Sequence, residues 1–181
     1  LARMAAWRAG VPVIVHTIHG MSFNRTQPPR VQAAYAAAER YCAARSAAIV
    51  SVSDAMTRQA LAAGGGRPEQ FVTLRSGMAV ADFDPARHDA AEFRRQWKIQ
   101  PGEVVIGTVA RLFYNKGYEQ LLDVMERASR VMPNLRFVWI GDGAARPHYE
   151  AELRRRGLRE RTTLTGLVPP AQMPAMLAAV D

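Results

Sequence analysis

Apolar residues recur along the chain in two alternating rhythms: short β-branched runs, and longer stretches at helical spacing. Val11–Thr17 is apolar almost throughout, which predicts a strand buried on both faces of a parallel sheet. A polar loop through residues 24–29 follows. Val31, Ala34, Tyr35, Ala38, Tyr41 and Cys42 then fall at helical spacing within Arg30–Ala44. Residues 47–53 read as a second strand. Ser53 or Asp54 can cap the next helix, which ends at the glycine run Gly64–Gly66. Residues 71–77 form a third short strand leading into a turn. The periodicity breaks between Ala79 and Asp89, as an interdomain connection would.

Beyond that break a short helix runs through Phe93 and Trp97, followed by the turn Pro101-Gly102 and a strand from Val104. A helix from Gly117 to Val131 is predicted to bury Tyr118, Leu121, Leu122, Met125 and Ala128. Strand 135–141, a helix over Pro147–Arg156, strand 162–166 and a final helix from Ala171 complete the pattern. Strands alternating with helices through short loops predict a doubly wound α/β architecture.

The 181 residues leave room for one large domain or two small ones. Hydrophobic residues at 49% and charged residues at 22% exclude a disordered chain. The longest apolar runs are too short to cross a bilayer, so no transmembrane segment is expected. A single cysteine, Cys42, allows neither an intrachain disulfide nor a cysteine-built zinc site, and fits a reducing compartment. The net charge of +8 would suit nucleic acid, an anionic membrane surface or phosphorylated substrates. Only two of the 24 basic residues are lysine, so the arginine excess also fits a general compositional preference. Basicity alone selects no partner. The first residues read as the tail of a helix closed by Gly10, and the last stop as a helix hands over. The chain therefore reads as an internal fragment of a longer protein.

The most informative stretch, residues 107–122, places Arg111 at the carboxyl end of a strand and Lys116 just before a helix opening at Gly117. Ligands of open α/β sheets collect at that edge, where helix N-termini direct amide hydrogens outward. Two cations beside a helix start would hold a diphosphate, the arginine engaging two oxygens at once. A solvated basic loop remains open on spacing alone. Gly141-Asp142-Gly143 makes a turn after the next strand, but Arg146 stands where a dinucleotide fingerprint needs its third glycine. Gly166 marks a third loop at the same edge, and three such loops predict a nucleotide-sized crevice.

His16 and His19 form an H-x-x-H pair without a third ligand nearby, so no metal site is expected. His16 reads as structural, while His19, before Gly20, could touch a ligand. Asp82-Phe83-Asp84 imitates a metal-nucleotide motif but reads as turn chemistry and helix capping. Glu152 and Glu160 have E-x7-E spacing and read as partners of the surrounding arginines. That arginine cluster lacks the interleaved aromatics of a nucleic-acid surface. No P-loop, nucleophile elbow or kinase signature occurs.

Taken in order, residues 11–20, 51–56, 76–85, 109–122, 137–143 and 164–170 resemble glycosyltransferase family 4, the retaining group 1 glycosyl transferases of GT-B fold. The resemblance spans nearly the whole chain. It implies two Rossmann-like doubly wound domains, both incomplete here. Residues 1–80 correspond to the end of the acceptor-side domain and 81–181 to the first part of the donor nucleotide-sugar-binding domain. The implied activity is transfer of a sugar from a UDP-, GDP- or ADP-sugar to a carbohydrate or lipid-linked acceptor, with retention of configuration and without a metal or other cofactor.

On this resemblance Arg111 and Lys116 match the pair that binds the donor diphosphate and stabilises the departing nucleotide. His19 matches a histidine that reaches the donor sugar. Gly117, Gly141, Asp142, Gly143, Gly166, Leu167 and Val168 match segments lining the nucleotide. Two departures stand out. The usual N-G-x-D turn is Ser76-Gly77-Met78-Ala79 here, and the family's own E-x7-E motif would follow a strand beginning after Asp181. The implied location is the cytoplasm, at the inner membrane face if the basic surface meets lipid. Alternatives are a non-catalytic Rossmann-like module for nucleic acid or an anionic membrane, or a sugar-nucleotide epimerase of related fold.

Overall fold

The structure, a computed structural model, describes residues 2–24 and 27–181. Arg25 and Thr26, within the polar loop expected at residues 24–29, lie outside the described residues, as does Leu1. The chain divides into two compact units, residues 1–78 and 79–181.

The first unit contains α1 (Ala2–Arg8), β1 (Val15–Ile18), α2 (Pro29–Ala43), β2 (Ala48–Ser51), α3 (Asp54–Ala62) and β3 (Phe71–Thr73). Its three strands are parallel in the order β1-β2-β3, with Val15 opposite Ala48 and Ile49 opposite Phe71. Ser53 caps α3 by accepting the Met56 amide at 3.2 Å. The buried Gln70 side chain donates to the carbonyls of Ala43 (3.1 Å) and Ser46 (2.7 Å), satisfying groups that the end of α2 leaves open.

Two expectations fail in this unit. β1 is buried on one face only. Ile18 joins Ile49, Ala43 of α2 and Ala60 of α3 in the core, whereas Val13 and Val15 are 63% and 57% exposed. The apolar run correctly marks a strand, but α2 and α3 pack against a single side of the sheet. The predicted apolar stripe of α2 fails likewise. Cys42 is buried, yet Val31, Tyr35 and Tyr41 are exposed, because the core contact comes from the carboxyl end of the helix at Cys42 and Ala43.

The second unit contains α4 (Ala90–Gln96), β4 (Val104–Val109), α5 (Tyr118–Val131), β5 (Leu135–Ile140), α6 (Arg146–Arg155), β6 (Thr162–Gly166) and α7 (Met173–Ala178). Its parallel sheet has the order β4-β5-β6. One face packs Phe137 and Trp139 against Tyr118, Leu122 and Met125 of α5 and Tyr149 and Leu153 of α6. The other packs Val105, Val138 and Ile140 against Trp97, Met176 and Ala179. This sheet is covered on both faces, as a parallel sheet between crossover helices requires. The break in periodicity at residues 79–89 is a run of short 3-10 turns lying against α7. Asp84 accepts the Ala86 amide at 3.0 Å and Asp89 the Ala91 amide at 2.9 Å, so these two perform capping, whereas the Asp82 carboxylate lies 4.0 Å from Arg87.

His16 is half-buried beside Arg3 and Glu39; burial and the arginine hold it below the usual imidazole value against the opposing pull of Glu39. Burial also works against ionisation of Glu39, but its ion pair with Arg3, which ties α1 to α2, and a 3.1 Å hydrogen bond from Ser22 outweigh it and lower its pKa. A carboxyl depressed in the folded state contributes stability above its unfolded value of about 4.3, lost as pH falls through the folded value. Glu39→Gln is therefore expected to melt below the wild type at neutral pH, with the gap closing in acid, as thermal melts across pH would show. Removal of the α3 cap in Ser53→Ala is expected to cost about 1 kcal/mol in denaturant unfolding.

Candidate functional site

Three loops leave the carboxyl edge of the second sheet, and main-chain hydrogen bonds stitch them together. The Leu112 amide donates to the Asp142 carbonyl at 3.0 Å, and the Ala145 amide donates to the Leu112 carbonyl at 3.1 Å. The Gly141 amide donates to the Gly166 carbonyl at 3.0 Å. Contact this close demands glycine. A Cβ on Gly141 would lie 2.2 Å from the Ala110 oxygen, and one on Gly143 would lie 2.3 Å from the Leu112 oxygen. Gly141 also has φ +136°, which side-chain-bearing residues rarely adopt.

Arg111 and Lys116 are both exposed in the loop between β4 and α5, and among the described residues neither meets an anionic partner. Gly117 follows with φ +77° and opens the 14-residue α5, whose first amides lack partners within the helix. The Tyr118 hydroxyl donates to the Ala110 carbonyl at 3.2 Å, pinning the start of α5 to the end of β4. Two free cations thus flank a loop running into a helix N-terminus, an arrangement that favours a multiply charged anion.

Asp142 is already engaged: it accepts its neighbour's amide at Gly143 (2.8 Å) and the Arg146 guanidinium (3.1 Å). Arg146 also donates to Glu150 at 2.9 Å; that bond, against the cost of burial, and the Asp142 charge raise its pKa. The residue standing in place of a third glycine therefore braces the turn, and its terminal nitrogen lies beside Gly166. The spacing of Asp142, Arg146 and Glu150 at successive fourth positions was the available signal for this brace. Leu167 is 81% exposed beyond Gly166, and Val168 packs in part against the second core.

His19 lies in the first unit, exposed beyond the end of β1. The structure thus gathers Arg111, Lys116, Gly117, the Gly141–Gly143 turn and Gly166–Val168 at one sheet edge of the second unit, while His19 belongs to the first. Among the described residues no group of three or more His, Cys, Asp and Glu side chains could hold a metal ion, and no helix is long and apolar enough to cross a membrane. The arginine cluster of α6 is locally neutralised. Arg155 and Arg156 pair with Glu152 at 2.6 and 3.3 Å, Arg156 reaches Asp123, and Arg154 reaches Glu150 at 3.6 Å. Hydrogen bonds from Arg155, against a smaller burial cost, and from Arg156 hold Glu152 down to about 2. Glu160 differs: its carbonyl accepts from Arg136, and its carboxylate pairs with no described residue.

Residues 89–181 match the family Glycosyl transferases group 1, and residues 1–77 match the Glycosyl transferase 4-like domain. The chain belongs to the group 1 glycosyl transferases. It is 30% identical over 98% of its length to a 2-deoxystreptamine glucosyltransferase of Streptomyces kanamyceticus, of which it covers 47%. It is 30% identical over 93% of its length to an alpha-D-kanosaminyltransferase of the same organism, covering 45%. Anabaena HepE, crystallised with UDP-glucose, shares the fold with a TM-score of 0.80 at 21% identity, over 99% of this chain and 48% of that one. The chain thus spans about half the length of the relatives it matches.

Gly141→Ala is expected to cost about 3 kcal/mol or more, because main chain must move to admit the methyl group. Gly77→Ala, with open space around its Cβ, is expected to stay within about 0.5 kcal/mol. Chemical denaturation of both variants checks the contrast.

Proposed function

We propose that this chain is part of a retaining glycosyltransferase that moves a sugar from a nucleoside diphosphate sugar to a carbohydrate or lipid-linked acceptor. The observation that carries the reading is the pair of exposed cations, Arg111 and Lys116, bracketing a loop that enters a helix N-terminus beside two further stitched loops. When the bond between the sugar and the diphosphate breaks, the departing nucleotide retains the electron pair and its charge grows. Fixed cations and helix amides aimed at that charge lower the barrier without metal assistance.

In this reading the second unit is the donor side. Gly141, Asp142 and Gly143 line the nucleotide, Gly166, Leu167 and Val168 meet its base through the main chain, and Gly117 presents its helix start to the diphosphate. The first unit is the acceptor side and supplies His19 toward the donor sugar. UDP is the favoured carrier, since the related Anabaena fold was crystallised with UDP-glucose; GDP and ADP are the comparison ligands. A nucleotide-sugar donor and one buried cysteine, Cys42, fit the cytoplasm.

Titration calorimetry on the chain extended to the length of its relatives tests the assignment. UDP is expected to bind, and Arg111→Ala or Lys116→Ala to weaken it roughly 10- to 100-fold, the equivalent of one charged hydrogen bond. Unchanged affinity in both variants would overturn the role of this loop.

A further inference from the structure

The loop between β4 and α5 holds two aromatic side chains between its cations, Phe113 and Tyr114, which are 43% and 60% exposed. The Arg111 guanidinium carbon lies 5.9 Å from the centroid of the Phe113 ring, its one aromatic contact among the described residues. A guanidinium held over a ring keeps its charge available for an anion while sampling fewer rotamers.

The rings are themselves anchored. Tyr114 lies 6.3 Å from Phe113, 5.5 Å from the His148 ring and 6.2 Å from the Tyr149 ring, centroid to centroid. Tyr149 is fully buried, and its hydroxyl donates to Glu119 Oε1 at 2.8 Å, joining α6 to the first turn of α5. Burial and the Glu119 carboxylate push that hydroxyl far above the ordinary phenol value, so it remains a donor. A continuous run of ring contacts therefore leads from the core at Tyr149 through Tyr114 and Phe113 to Arg111.

We propose that Phe113 is a positioning residue for Arg111, holding its guanidinium ready for the diphosphate, with Tyr114 anchoring the loop to α6. Preorganisation of this kind lowers the ordering cost when the anion binds. The inference rests on Arg111 being a diphosphate ligand, and a double-mutant cycle separates the two ideas. UDP affinity is measured by calorimetry in the extended chain carrying Arg111→Ala, Phe113→Leu, Phe113→Tyr, and Phe113→Leu combined with Arg111→Ala.

Phe113→Leu is expected to weaken UDP about two- to fivefold, the range of an exposed cation–π contact. Phe113→Tyr restores affinity, and the Phe113→Leu loss vanishes when Arg111 is already alanine. Equal melting temperatures exclude a folding effect. Two results overturn the positioning role while leaving the diphosphate reading intact: no effect of Phe113→Leu beside a large effect of Arg111→Ala, or an equal Phe113→Leu loss in both backgrounds. No effect of Arg111→Ala removes the underlying reading itself.

Discussion

The carboxyl edge of the second sheet is built on main-chain contact too close to admit side chains. Gly141 and Gly143 lie against the carbonyls of Ala110 and Leu112, closer than any Cβ could tolerate. That proximity allows the hydrogen bonds that draw the three loops together, and the Tyr118 hydroxyl on the Ala110 carbonyl ties the start of α5 to the same edge. The supporting layers are ordinary core: the aromatic cluster of Tyr118, Trp139 and Tyr149 beneath one face, and Trp97 with the α7 residues beneath the other. The site depends on the glycine contacts, and the contacts depend on the parallel register of β4 with β5.

Charge is distributed in a way that the net value of +8 conceals. The densest arginine run, on and after α6, meets Asp123, Glu126, Glu150 and Glu152, so much of its field is cancelled within a few ångströms. The loop between β4 and α5 carries less charge, but its two cations, Arg111 and Lys116, pair with no acid among the described residues. A ligand anion is drawn by uncompensated charge, and this is why the proposed function places the diphosphate at the quieter loop.

The two units differ in how they use apolar surface. The second covers both faces of its sheet, whereas the first leaves Val13, Val15, Val72 and Leu74 exposed on one. The run Val11–Thr17 announced a strand correctly and its burial wrongly, since periodicity reports what a segment can bury and not what arrives to cover it. The same holds for α2, where helical spacing identified the helix, but only its carboxyl end found a core.

Local chemistry in the sequence determined the order of strands and helices, the Ser53 cap, the capping by Asp84 and Asp89, and the placement of Arg111 and Lys116 after a strand and before a helix. Each depends on residues within a turn or two of one another. The tertiary structure alone decided which sheet faces are covered, that the Arg146 guanidinium comes to lie beside Gly166, and that Tyr149 reaches Glu119 while its ring meets Tyr114. Most of these contacts join residues 20 to 35 positions apart, and they exist because parallel strand pairing returns each crossover to the same edge. Spacing along a chain carries no record of such neighbours.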